Sequence, residues 1–208
     1  MTSGLPTLVL IRHGETAWTL TGQHTGRSDI PLTARGEDMA RDLARILAPV
    51  RFSHVLTSPS QRARRTCALV LDRQTAVIDP DLAEWDYGRY DGLDTGQIQA
   101  LAPDWNVFRD GCPGGETPAR AVARADRVLD RLRVLAGTVA LFSHGQFGCL
   151  LGARWIGLAG SAADRFALDP ASFSVLGPKP GHAEVPTVLR WNMVPEARLV
   201  DQGRPGST

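Results

Sequence analysis

The chain has 208 residues, 43% of them hydrophobic, which is enough to bury a sizeable core, and no apolar run reaches membrane-spanning length. A formal net charge of +1, from 23 basic and 22 acidic side chains, argues against a nucleic-acid or membrane surface built on global charge. Any anion must be bound locally, and because Lys179 is the only lysine, the other basic groups are all arginine, whose planar fork suits bidentate phosphate contact. Cys67, Cys112 and Cys149 are odd in number and widely spaced, which fits a reducing compartment. The N-terminus lacks a basic segment followed by a long apolar one, so a cytoplasmic protein is expected.

In chain order, the apolar run Leu8 to Ile11 predicts a strand buried on both faces that stops abruptly at Arg12, His13 and Gly14. In open α/β sheets ligands bind at that strand edge, and an Arg fork, an imidazole and close-approaching backbone at Gly14 suit a phosphoryl group. The alternative is an ordinary strand end with a solvated Arg-His pair. Thr21 to Pro31 is polar and Gly-containing, so it reads as a loop over the pocket, in which His24 is expected to be an exposed polar residue. Thr33 caps a helix with Met39, Leu43, Ile46 and Leu47 at helical spacing, ended by Pro49. His54 to Thr57 is a second strand, and Ser60 caps a helix that carries Arg62 in its first turn. A cation is disfavoured beside a positive helix N-terminus unless an anion is bound there, which makes Arg62 a better phosphate clamp than surface decoration.

Ala76 to Ile78 predicts a brief third strand, leading into a stretch dense in acids and aromatics, Asp79 to Gly92. Aromatics that exclude water would raise a carboxyl pKa, the condition for a proton donor near neutral pH, although on its own Glu84 reads as a loop carboxylate. Leu93 to Thr117 reads as irregular, a lid or pocket wall. A helix runs from Pro118 to Ala136, burying Val122, Val128, Leu129, Leu132 and Leu135. Thr138 to Phe142 is the next buried strand, delivering His144 beside the N-terminus of a helix from Gln146 to Ile156, a position suited to anions. Ala171 to Leu176 and Thr187 to Trp191 form an antiparallel hairpin at one sheet edge around a turn from Gly177 to Gly181, and the tail from Pro195 is polar and expected to fray.

Arg12-His13-Gly14-Glu15-Thr16 resembles the Arg-His-Gly signature of the histidine phosphatase superfamily, which includes phosphoglycerate mutases and many small phosphatases. Three later stretches match in family order: Ser58-Pro59-Ser60-Gln61-Arg62-Ala63, Leu82-Ala83-Glu84 running on to Asp91-Gly92, and Ser143-His144-Gly145. The resemblance implies one domain over residues 1–208, an α/β three-layer sandwich with a mostly parallel central sheet and helices on both faces. It implies that His13 is the nucleophile, that Arg12, Arg62 and His144 hold the phosphoryl oxygens, and that Glu84 is the general acid. It implies a substrate-binding role for Thr19, Gln23, Thr25, Gly26 and Gly145. The expected partner is a small phosphorylated metabolite, with no nucleic acid and no membrane, and a homodimer is left open. The scheme calls for no metal and no cofactor.

Within that family, phosphoglycerate mutase is the rival to a small bacterial phosphatase. The mutases carry an asparagine where this chain has Thr19, and a longer basic insertion after the acid motif where this chain has a short non-basic segment; both differences point to hydrolysis. A non-catalytic module that binds phosphorylated ligands would need neither a nucleophile nor an acid.

Overall fold

The computed structural model describes residues 4–71 and 75–195. Six strands, β1 (Thr7–Arg12), β2 (His54–Thr57), β3 (Val77–Ile78), β4 (Thr138–Ser143), β5 (Phe173–Lys179) and β6 (His182–Met193), form one sheet in the order β3-β2-β4-β1-β5-β6. The first four in that order pair in parallel, and β5 and β6 close the other edge antiparallel. Seven α-helices accompany them among the described residues: α1 (Ala17–Thr21), α2 (Ala34–Leu47), α3 (Gln61–Val70), α4 (Thr95–Leu101), α5 (Val107–Asp110), α6 (Pro118–Arg133) and α7 (Gly145–Trp155).

The buried strands are apolar on both faces because each face meets helices. Leu8 and Leu10 of β1, with Val139 and Leu141 of β4, pack with Val128 and Leu132 of α6 and Leu150 of α7. Their neighbours Val9, Ile11, Ala140 and Phe142 point the opposite way, onto Met39 and Leu43 of α2 and Cys67 and Val70 of α3. This period-two alternation makes the three layers. The register pairs Arg12 with Ser143 and Thr57 with Phe142, so β1, β4 and β2 end together at one edge and release His13, His144 and Ser58 there.

Several sequence expectations shift. Thr33 caps α2 as predicted, its Oγ1 accepting from Gly36 N–H at 2.9 Å, but Ile46 is exposed. Ser60 stands at the N-cap of α3 without capping it; Asp29, from the loop opposite, accepts from Gln61 N–H instead, at 2.8 Å. The stretch predicted as irregular holds α4 and α5, started by Asp94 and Asn106, which accept from the N–H groups of Gln97 and Phe108. Ile98, Trp105, Val107 and Phe108 are buried with Trp85, so this stretch is core, not lid. The hairpin turn is tighter than expected: Lys179 pairs with His182, and only Pro180 and Gly181 lie between, with Gly181 at φ +80°. The predicted frayed tail beyond Pro195 lies outside the described residues.

Candidate active site

His13 is buried, with its Nδ1 2.8 Å from the carbonyl of Gly14. A carbonyl only accepts, so the proton sits on Nδ1, and Nε2 carries the lone pair. Arg62 Nε donates to that lone pair at 3.3 Å. Burial first, then the charges of Arg62 and Arg12, push the His13 pKa well below the usual imidazole range, so the ring is neutral at physiological pH.

His144 is fully buried, its ring 5.2 Å from that of His13 and tilted by 66°. Its Nε2 lies 2.7 Å from Ser58 Oγ. Ser58 Oγ also accepts from Ser60 N–H and stands 3.3 Å from Ser60 Oγ, and with two lone pairs and one proton it can meet His144 Nε2 as donor or acceptor; the His144 proton is placed on Nδ1 only in the reaction proposed below. That Nδ1 is buried without a hydrogen-bond partner among the described residues, as is Nε of Arg12. Burial, then Arg62, His13 and Arg12, keep the His144 pKa well below its ordinary value.

Arg62 is 1% exposed and donates to three carbonyls of the loop opposite: Thr25 and Ser28 at 3.0 Å, and Gly26 at 3.4 Å. Arg12 donates to the carbonyl of Leu168. Neither forms an ion pair with a described residue, and burial is the main reason each pKa falls below the ordinary arginine value. Two desolvated cations without a contacting anion are unfavourable, so the arrangement is made for an anion that arrives from outside.

Glu84 lies across the pocket. Its carboxylate accepts from the backbone N–H groups of Trp85 at 2.9 Å, Gln146 at 3.1 Å and Phe147 at 2.8 Å. The N-terminus of α7, expected to face a bound anion, is therefore already occupied by Glu84. Glu84 shares a cavity of about 200 Å³ with Arg12, His13, Thr19, Tyr87 and Gly145.

The expected substrate residues line that pocket unequally. Gln23 and Thr25 border the same cavity, while Gly26 borders a neighbouring one. The Thr19 hydroxyl is spent in a capping box with Thr16, and the Gln23 amide donates to Gly92 O at 2.7 Å. A Cβ on Gly26 would come 2.6 Å from the carbonyl of Trp85, and one on Gly145 would stand 3.3 Å from the Arg12 guanidinium. Gly14 needs its missing side chain for a different reason from the one expected: a Cβ there would meet the backbone of Gly36 at 2.4 Å, not a ligand. His24 is half-buried rather than exposed, stacked 4.7 Å from Tyr87.

Three neighbours have contacts that the sequence does not reveal, although Ser58 and Asp91 stand in the matching stretches. Ser58 contacts His144. Asp91 fastens the Arg62-binding loop by accepting from Gly26 N–H at 2.7 Å and from the N–H and hydroxyl of Ser28 at 3.0 and 2.8 Å. Arg124, paired with buried Glu116 at 2.6 Å, donates to the carbonyls of Asp81 and Ala83 just ahead of Glu84 and lies 3.8 Å over the Phe147 ring.

A neutral imidazole between two arginine forks, at the end of parallel strands and facing a carboxylate, is a site suited to a phosphoryl group. The chain belongs to branch 1 of the histidine phosphatase superfamily, whose family model matches residues 8–193. It is 38% identical over 177 residues to an acid phosphatase of Mycobacterium tuberculosis, an alignment that covers 82% of this chain and 85% of the relative. It is 36% identical to sedoheptulose 1,7-bisphosphatase of Saccharomyces cerevisiae, over 76% of this chain and 70% of that one. A probable phosphoglycerate mutase of Yersinia enterocolitica is 35% identical, over 79% of this chain and 81% of the relative. The solved structure of a Mycobacterium tuberculosis open reading frame superimposes with a TM-score of 0.84 at 34% identity, covering 92% of this chain and 99% of that one.

Proposed function

We propose that this protein is a phosphomonoesterase that hydrolyses small phosphorylated metabolites through a phosphohistidine on His13. The observation that carries the reading is the pairing of a neutral, pre-oriented imidazole with the buried guanidinium of Arg62 and the half-buried one of Arg12, neither in an ion pair with a described residue. In the first half-reaction Nε2 of His13 attacks phosphorus, the P–N bond forms as the P–O bond to the alcohol breaks, and protonated Glu84 gives its proton to the leaving oxygen. Arg12, Arg62 and Nδ1–H of His144 hold the three phosphoryl oxygens as charge spreads over them. In the second half-reaction water loses a proton to Glu84 and attacks phosphorus, the P–N bond breaks, and phosphate leaves with His13 restored. Thr19, Gln23, Thr25, Gly26 and Gly145 shape the pocket around the substrate; with the Thr19 hydroxyl and the Gln23 amide tied to backbone, those two act as wall.

The same proposal takes residues 1–208 as one domain in the cytoplasm, which the single sheet and three buried, unpaired cysteines favour. Among the described residues no helix is long and apolar enough to cross a membrane. Hydrolysis is preferred over transfer to an organic acceptor because Thr19 is committed to its cap and the segment 93–103 after the acid motif carries no basic side chain. Incubation with 3-phosphoglycerate, with and without 2,3-bisphosphoglycerate, tests this beside release from p-nitrophenyl phosphate. Phosphate release faster than interconversion to 2-phosphoglycerate supports the phosphatase. Faster interconversion makes the chain a mutase, and tight phosphate binding without turnover makes it a binding module.

A further inference from the structure

Next to the pocket that holds His13 lies a second cavity of about 410 Å³, with Arg27, Ser60, Arg62, Glu84 and Arg120 in its wall. Glu84 is common to both cavities. Small-molecule sites enclose roughly 300–1,000 Å³, so the second cavity is of ligand size, whereas the first, at about 200 Å³, has room for a phosphoryl group and little beyond it.

An in-line displacement sets the leaving oxygen opposite the attacking nitrogen, and the proton donor must stand beside that oxygen. Arg12 and His13 open onto the small cavity and Arg62 onto the large one, so a phosphoryl group gripped by both arginines sits at the junction, where Glu84 is. The alcohol then extends into the larger space.

The charges there are unevenly committed. Asp86 is paired with Arg27 at 2.8 Å, Glu116 with Arg124 at 2.6 Å, and Asp29 accepts from Gln61 N–H at 2.8 Å. Glu84 is held by its three N–H donors. Arg120, exposed at the rim, is the cation of this wall whose side chain bonds no described residue. The Arg27 side chain is 81% exposed, and a surface ion pair of that kind is weak enough for Arg27 to turn from Asp86 to a ligand.

We propose that the second cavity is the leaving-group subsite, and that its preferred occupants are polyol phosphates bearing a second anionic group, phosphate or carboxylate, recognised by Arg120 and Arg27. The proposal rests on the phosphomonoesterase reading for the direction of the leaving group.

Two substrate pairs test it and separate the two anions: fructose 1,6-bisphosphate against fructose 6-phosphate, and 3-phosphoglycerate against glycerol 3-phosphate. The doubly anionic member of at least one pair is expected to have a kcat/KM at least about tenfold higher, mainly through KM, and the pair that shows it identifies the anion. The double variant Arg27→Glu, Arg120→Glu is expected to bring that ratio close to one. A ratio near one for both pairs in the unaltered protein, or a preference that survives the double charge reversal, overturns the proposal. If neither these esters nor p-nitrophenyl phosphate are turned over, the phosphatase reading fails by itself. The subsite is then judged by calorimetric Kd values for the same pairs on the His13→Ala protein, where a tenfold preference lost on charge reversal supports it and equal affinities refute it.

Discussion

At the ends of β1 and β4, in neighbouring register positions, two buried imidazoles stand 5.2 Å apart, and each turns a different nitrogen to a fixed protein partner. His13 gives its Nδ1 proton to its own backbone, at Gly14, and presents Nε2 as a lone pair to Arg62. His144 uses Nε2 on the Ser58 hydroxyl and keeps Nδ1, buried and unpartnered, for something else. Both are neutral and flanked by the same arginines, so the difference in role comes from hydrogen bonding alone. In the proposed reaction one ring gives electrons and the other gives a hydrogen bond.

The largest consequence is a difference between the two deletions. His13→Ala should lower kcat by at least about 10⁴, because no other group takes over the nucleophile, whereas His144→Ala should lose about 10² to 10³, the usual effect of removing one donor to developing charge. Steady-state rates on p-nitrophenyl phosphate check this, and equal losses would erase the distinction. Glu84→Gln should slow an alkyl phosphate by about 10² to 10⁴ but p-nitrophenyl phosphate far less, since nitrophenolate leaves without a proton. Arg62→Ala should slow both esters by similar factors. Single-turnover measurements keep dephosphorylation from hiding the contrast, and equal losses in Glu84→Gln would move the acid elsewhere. The neighbouring carboxylates are poorly placed to inherit it, as Asp91 is bound by three donors of the loop and Asp86 by Arg27 and Gly88 N–H.

Ser58→Ala should have a smaller effect, about tenfold in kcat/KM, equivalent to about 1.4 kcal/mol, because it frees the His144 tautomer without removing the ring. An unchanged rate would show that Ser58 does not set that tautomer.

The last effect is on stability and not on rate. Both imidazoles have pKa values well below 6.5 in the folded protein, so below about pH 6.5 the unfolded chain binds protons that the folded chain does not. Stability from this source is complete above the unfolded pKa and declines as pH falls, by about 1.4 kcal/mol per pH unit for each ring until the folded pKa is reached. Denaturation midpoints between pH 7 and 5 should fall, and the slope should flatten in a His13→Asn, His144→Asn double variant. A slope unchanged by the substitutions would assign the acid sensitivity to other groups.

Which parts of the site could be read from sequence follows from how far their causes reach along the chain. Arg12-His13 and Ser143-His144 are legible because an apolar strand that stops at polar residues announces its own end. Arg62 is legible because a cation in a first helical turn asks for an anion. The contact of Ser58 is not legible because its partner, His144, lies 86 residues away. The same holds for Arg124, whose work is done on carbonyls some 40 positions earlier. Gly14 was legible as a special position but assigned the wrong neighbour, since only the packed structure shows the Gly36 backbone against it. The capping box that begins α4 and the Asn106 cap that begins α5 are local signals legible in the sequence. The Pro- and Gly-containing irregularity of the stretch suggests a lid or pocket wall instead, whereas in the fold its aromatic residues fill the core beside Trp85.

Ser58 Oγ, 2.7 Å from His144 Nε2, is nearer to that imidazole than Ser60 Oγ at 3.4 Å and is the rival nucleophile, so the identity of the phosphorylated residue decides between the two wirings. Rapid acid-free quench of the enzyme with labelled substrate, followed by peptide mapping, should find the phosphoryl group on the peptide carrying His13, stable in base and labile in acid as a phosphorus–nitrogen bond is. An acid-stable adduct on Ser58 would reverse the roles assigned to the two strand ends.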